Sequence, residues 1–459
     1  MKSCAFLIFL AYCVSALALE NDPDKDKAPP RDYAIPALEI AGFEYLLNRY
    51  DHRRYGEDYA SNWTTVKRNL RSSWVVDRDP FNINQLGHPY QGSMYYGFAR
   101  SAGLNYWESL FYSFAGSAAW EIAGETTLPS KNDQIASGIG GSFLGEALYR
   151  MANLALEKSD KLPRFWREAG AAAISPATGF NRLAFGERFR TVLNSHDPVY
   201  YSRLSLALSG TVQNRQGNST ELKRGEALAD FALDYGLPGK PGYTYSRPFD
   251  YFSFQGTASS ANGVENLMTR GLLLGTDYDI GQKYRGVWGL YGSYDYISPQ
   301  IFRVSTTALS LGTTGQYSFT PAVALQGSAM AGAGYAAVGT VHSSGERDYH
   351  YGVAPQALLG LRLILGAAAA IDFTTREYFV SNVSAGTTGG HDNIIRTDLT
   401  LTLRIHKQHA IAIKYLWNRR DASFTGRDDL SQARGTVGIY YTLLGHDRFG
   451  AVDWQTSAQ

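Results

Sequence analysis

Residues 398–417 read DLTLTLRIHKQHAIAIKYLW, and an alternation of apolar and polar side chains runs through them. Leu399, Leu401, Leu403 and Ile405 share one face of an extended chain, opposite Asp398, Thr400, Thr402, Arg404 and His406. A period of two sustained over such a length is the signature of a strand with one apolar face. After Lys407 and Gln408 the alternation resumes, with Ile411, Ile413, Tyr415 and Trp417 opposing Lys414 and Asn418. Two strands joined by two residues make a tight antiparallel hairpin.

The same reading extends in both directions from Pro198 to the region of residue 446. Val437, Ile439, Tyr441 and Leu443 alternate with Thr436, Gly438, Tyr440 and Thr442, and Leu272, Leu274, Tyr278 and Ile280 oppose Gly271, Gly275, Asp277 and Asp279. Tight links are expected at Gly281 with Gln282, at Thr320 with Pro321, near Gly366, and at Lys407 with Gln408. Longer polar links fall between them: QNRQGNSTE, SANGVE, HSSGERD, NVSAGTTGGHDN and FTGRDDLSQ. Short turns on one side and long loops on the other predict a transmembrane antiparallel β-barrel of about 12 strands, its outer face in contact with outer-membrane lipid. Two stretches fit less well. LPGKPGYTYS is long where a short turn is needed, and ALLGLRLILGAAAAI is apolar without alternation, so that it also reads as helical.

Composition agrees with a barrel. The 31 tyrosines and 47 glycines supply interfacial aromatics and bend-tolerant positions, and a mean hydropathy of -0.25 is what alternate lipid-facing residues produce. With 43 basic and 42 acidic residues the net charge of +1 gives no basis for nucleic-acid binding. Residues 1–18 have the lysine, apolar core and Ala-Leu-Ala ending of a signal peptide. Cys4 and Cys13 both lie there, so a mature chain has no disulfide chemistry. Residues 19–34 are charged and proline-bearing, as in a disordered linker, and 447–459 read as a carboxy-terminal tail.

Residues 35–190 carry helical periodicity and are expected to form a periplasmic domain, capping the rim of a barrel too narrow to swallow it. Ser109, Ser113 and Ser117 form a ridge of small residues continued by Glu121 and Glu125, and Gly138, Gly141, Ser142 and Gly145 form a second one that ends on Glu146. Small ridges allow close helix packing. Ser130 with Asp133 reads as a helix amino-terminal cap, and Glu146 with Arg150 as an i,i+4 ion pair. His88 precedes Pro89 and falls at a cap position. Tyr95, Phe98, Tyr106, Trp107, Phe111 and Trp120 offer an aromatic face for the inner leaflet, or a core.

Convergence of His88, Glu121, Glu125 and Glu146 would unite an imidazole with carboxylates on a small-residue helix, a set suited to acid–base work or to holding a metal. A buried structural network is the alternative. No HExxH, GxSxG or phosphate loop is present, and the sequence leaves the metal, the cofactor and the oligomeric state open. The blocks NQLGHPYQGS, WEIAGE, LPSKND and GGSFLGEALYR resemble an uncharacterised bacterial family of Gram-negative envelope proteins, a domain of unknown function, over roughly Phe81 to Glu187. The resemblance implies an envelope protein and brings no activity. Three functions are compatible with these features: a barrel anchor or narrow gated channel with a helical cap, an envelope hydrolase acting on lipid or cell wall through the His/Glu cluster, and a transport component recruiting a periplasmic protein.

Overall fold

The structure, a computed structural model, describes residues 31–158, 162–215, 224–340, 347–382, 389–426 and 428–454. The signal peptide, most of the linker, parts of the long loops and the last five residues lie outside the described residues. Two compact units result, one built from residues up to Arg78 together with Leu86–Ser195, the other from Asp79–Gln85 and the chain from His196 onward. Among the described residues no helix is long and apolar enough to cross a membrane.

The second unit is a closed antiparallel barrel of twelve strands. They are β1 (Tyr200–Arg215), β2 (Gly225–Tyr235), β3 (Phe252–Ser259), β4 (Gly263–Ile280), β5 (Tyr284–Ile297) and β6 (Arg303–Ser318), followed by β7 (Val323–Gly339), β8 (Tyr349–Leu365), β9 (Ala369–Asn382), β10 (Gly390–His406), β11 (His409–Phe424) and β12 (Leu430–Leu444). β1 closes the ring on β12, with Leu206 opposite Tyr441 and Leu208 opposite Ile439. Outward positions are apolar and exposed: Leu208, Leu399, Ile405, Ile413 and Ile439 among them. Inward positions pair charges, as in Arg420 with Asp392 (2.6 Å), Arg362 with Asp372 (2.7 Å) and Arg270 with Asp295 (3.1 Å). An apolar exterior over a closed hydrogen-bonded ring is what hydrocarbon requires of a spanning sheet.

Four details refine the sequence reading. Leu272 does not share a face with Leu274: a bulge between them shifts the register, so Leu272 points inward while Leu274 stays outside. The SANGVE link is a short turn at residues 260–262, because Gly263 already belongs to β4. The link at 236–251 is long although it lies at the short-turn end, and it is not loose, since Leu237, Tyr243 and Phe249 within it are buried. ALLGLRLILGAAAAI forms the β8–β9 hairpin; its alternation is lost because Ile364 and Ala370 face an apolar region of the lumen.

The lumen is filled from both ends. At the short-turn end residues 449–454 fold inward, packing Phe449, Val452 and Trp454 on Tyr201, Val287 and Tyr291. Gln316 and Gln326 fix this segment by donating to the carbonyls of Val452 (2.8 Å) and Gly450 (2.7 Å). At the other end Ile301 and Phe302 of the β5–β6 link pack with Ile297, Val338 and Val380. A cavity of about 150 Å³ remains, lined by Arg203, Asp234, Arg270, Asp295 and Arg362, among others.

Asp79–Gln85 packs on this unit from outside. Tyr296, Arg303 and Tyr349 lie in the outward register of their strands, and Phe81 meets all three, with the Arg303 guanidinium 4.9 Å from its ring. Asn84 donates to the Tyr349 and Tyr351 hydroxyls (3.1 and 3.2 Å), and the Tyr294 hydroxyl donates to the Gln85 carbonyl (2.5 Å). These contacts lie at the long-loop end of the wall.

The first unit is helical, comprising α1 (Ala34–Tyr55), α2 (Trp63–Arg71), α3 (His88–Ser101), α4 (Tyr106–Ala119), α5 (Lys131–Ile135), α6 (Gly141–Lys158), α7 (Arg164–Ile174) and α8 (Pro176–Ala184). The helices meet through small residues. Gly141 rests on the Gly92 backbone of α3, and Gly145 rests on Tyr96. Gly141 and Gly145 therefore face α3, whereas Gly138 meets α4, at Phe114. Tyr95, Phe98, Tyr106 and Trp120 are core residues; Phe111 stays exposed.

Candidate metal centre

Three π-helical turns adjoin the helices that carry the site: Ile83–Gly87 before α3, Trp120–Gly124 after α4, and Ala136–Gly140 between α5 and α6. Such turns widen the backbone and re-aim side chains, and they recur at functional sites. Here the first leads directly into His88, the second carries Glu121, and the third, carrying Ser137, follows Asp133. Because the first turn continues into α3, Gly87 rather than His88 occupies the cap position.

His88, Glu121 and Asp133 are all buried, and each offers a ligand atom within 4.8 Å of the other two. His88 Nε2 lies 3.9 Å from Asp133 Oδ2, beyond hydrogen-bond reach. Its Nδ1 is 3.4 Å from Ser137 Oγ. Glu121 Oε2 accepts from the Ser130 backbone N–H (2.8 Å). Asn132 Nδ2 donates to Asp133 Oδ1 (3.0 Å) and to Asp77 Oδ1 (2.5 Å). Asp77 is brought there by a bridge that pairs Val75 with Ser130.

Burial dominates the electrostatics. It lowers the His88 pKa to about 4, against the opposing pull of Asp77, so the imidazole is neutral at pH 7. Burial also drives the Asp133 carboxyl well above the ordinary carboxylate range, and Asp77, Glu121 and Glu125 push it the same way. An imidazole and two carboxyl groups thus crowd together, a set that holds either shared protons or a cation.

The other residues singled out from the sequence lie elsewhere. Glu125 accepts from Trp120 Nε1 (2.7 Å) and Thr127 Oγ1 (2.9 Å) and does not join His88. Glu146 is the centre of a separate network, accepting from Tyr96 (2.8 Å), Arg100 (2.9 Å) and Arg150 (2.7 Å). Burial alone would raise its pKa, but the two guanidiniums outweigh it and the carboxylate is held low. Ser130 caps α5 by accepting from the Asp133 backbone N–H (3.3 Å). The cap takes the backbone N–H of Asp133, and its carboxyl is held by Asn132 and Ser130 beside the site. Asp133 and Ser137 were not legible as members of one constellation, since nothing in their spacing from His88 announces it.

These features define a membrane-spanning β-barrel of the outer-membrane type joined to a helical unit. Residues 73–177 match DUF3943, a domain of unknown function, and the match includes His88, Glu121, Asp133, Ser137 and Glu146. Comparison with curated proteins finds no match. Among solved structures the chain is similar to the NanC porin at 8% identity, covering 52% of this chain and 98% of that one with a TM-score of 0.26. It is also similar to the outer membrane channel DcaP of Acinetobacter baumannii (6% identity, 53% and 96% covered, TM-score 0.23). A third similarity is to the Ralstonia pickettii toluene transporter TbuX (11% identity, 55% and 90% covered, TM-score 0.19). None of these resemblances bears on activity.

Proposed function

We propose that this chain is an outer-membrane anchor or narrow gated passage whose helical unit works on the periplasmic side, as a cap or as a dock for a periplasmic protein. The observation that carries the reading is the filled lumen: residues 449–454 occupy one end, and Ile301 with Phe302 the other. Charged inward residues bridge one another, which removes the fixed uncompensated field of an open ion pathway. The test is conductance of the refolded protein in planar bilayers. Silence or rare brief openings are expected, and a large steady pore would overturn the reading.

The periplasmic orientation is supported by the short turns, since that end of such barrels faces the periplasm and β1 and β12 both terminate there. A helical unit on the outer side is the alternative. Cysteine labelling separates the two. Leu183 is 83% exposed, so Leu183→Cys should resist an impermeant maleimide in whole cells and react once the outer membrane is opened. Labelling in intact cells would put this unit outside.

A further inference from the structure

We propose that His88, Glu121 and Asp133 bind a single divalent transition cation of the zinc type. The claim goes beyond the barrel reading and does not depend on whether the lumen conducts.

The donor set is the first argument. One imidazole nitrogen with two carboxylate oxygens is a mixed N/O set that suits zinc and its neighbours better than calcium or magnesium, which favour oxygen alone. The spacing is the second. Ligand atoms about 2.0–2.2 Å from a tetrahedral ion sit roughly 3.3–3.6 Å apart. The three atoms here lie within 4.8 Å of one another, so small side-chain rotations bring them onto one centre.

The third argument is independent of the carboxylates. His88 is about 95% buried, and its Nε2 lies 3.9 Å from Asp133 Oδ2, too far for a hydrogen bond. An imidazole nitrogen taken out of water normally finds a partner. Ser137 engages the other ring nitrogen, Nδ1. If Nδ1 carries the proton and donates it to Ser137, the Nε2 lone pair is turned toward the two carboxyl groups, and a cation bound there would be held by all three. Metal-bound histidines are commonly held this way through their distal nitrogen. The Ser130 N–H on Glu121 and the Asn132 amide on Asp133 act on the carboxylates as Ser137 acts on the ring.

Glu125 and Glu146 are excluded as ligands by their own partners: Trp120 and Thr127 hold the one, Arg100 and Arg150 the other.

The experiment uses the full mature protein refolded in detergent after chelation and titrated with Co²⁺ alone. One equivalent should bind, giving visible d–d absorption that Zn²⁺ abolishes. His88→Gln and Asp133→Asn should each weaken Co²⁺ at least tenfold, while Glu125→Gln leaves binding unchanged. Helical circular dichroism at 222 nm establishes that each variant is folded. If both site variants unfold, the decision passes to the wild type, in which histidine-nitrogen coupling in the pulsed EPR spectrum of bound Cu²⁺ supports the site and its absence overturns it. Folded wild type that takes up no stoichiometric Co²⁺, or folded site variants that bind as the wild type does, would leave a proton-sharing network instead.

Discussion

Glu146 makes the clearest single-residue case in the helical unit. Its side chain is wholly buried between Arg100 and Arg150, with the Arg100 guanidinium also stacked 4.8 Å from the Tyr149 ring. Removing one partner of a buried ion pair strands the other charge in a medium that solvates it poorly, at a cost of about 3–5 kcal/mol. Here one carboxylate serves two guanidiniums, so Glu146→Gln strands both. Loss of about 3 kcal/mol or more is expected in the 222 nm denaturation midpoint of the helical unit, while heat-modifiable migration of the barrel stays intact. Stability within 1 kcal/mol of wild type would mean that the network is solvated and the burial argument fails.

Among the elements, the fit of α6 to α3 is the most demanding. A Cβ added at Gly141 would lie 2.7 Å from the Gly92 Cα and 2.9 Å from the Pro89 carbonyl oxygen, and neither backbone can rotate away as a side chain does. Gly141→Ala should therefore cost about 1–3 kcal/mol through overpacking. Gly170 of α7 has open space where its Cβ would be, so Gly170→Ala should gain about 0.5–1 kcal/mol by the ordinary helix preference for alanine. Opposite signs for two identical substitutions, read by urea denaturation, are the expected outcome. The strands show how much was legible beforehand. Leu399 to Ile405 and Val437 to Leu443 could be read because outward positions are apolar by demand of lipid while inward ones are polar. Where residues 449–454 fill the lumen, inward positions such as Ile364 turn apolar as well, and the alternation that marks a strand vanishes. A one-residue bulge moved Leu272 inside, and periodicity alone carries no sign of it. In the helical unit His88 and Glu121 stood out as rare types among small residues, whereas Asp133 was hidden behind a capping motif. The direction of the glycine ridge could not be read, because spacing says which residues share a face and not which helix they meet.

For the whole molecule the filled lumen has a consequence that conductance can read. Residues 449–454 and the Ile301–Phe302 pair block opposite ends, so either one alone is enough to keep the passage shut. A chain ended at Gly445 should remain silent in planar bilayers, as should Ile301→Gly with Phe302→Gly. Only their combination should give stepwise currents. The remaining cavity of about 150 Å³ carries both signs of charge, which limits those currents to small ions. Currents from either single variant would show that one obstruction does all the blocking.

Ring closure through β1 and β12 also governs how the molecule is made. Arg203 finds its partner in Leu444, so the seam joins two segments separated by nearly the whole barrel sequence. Until synthesis reaches β12, the growing sheet has two raw margins of unsatisfied amides and carbonyls, and such margins recruit stray strands. A nascent chain that stalls before Leu430 is thus an aggregation hazard rather than a smaller barrel. Escort between translocation and insertion is a need written into the topology itself.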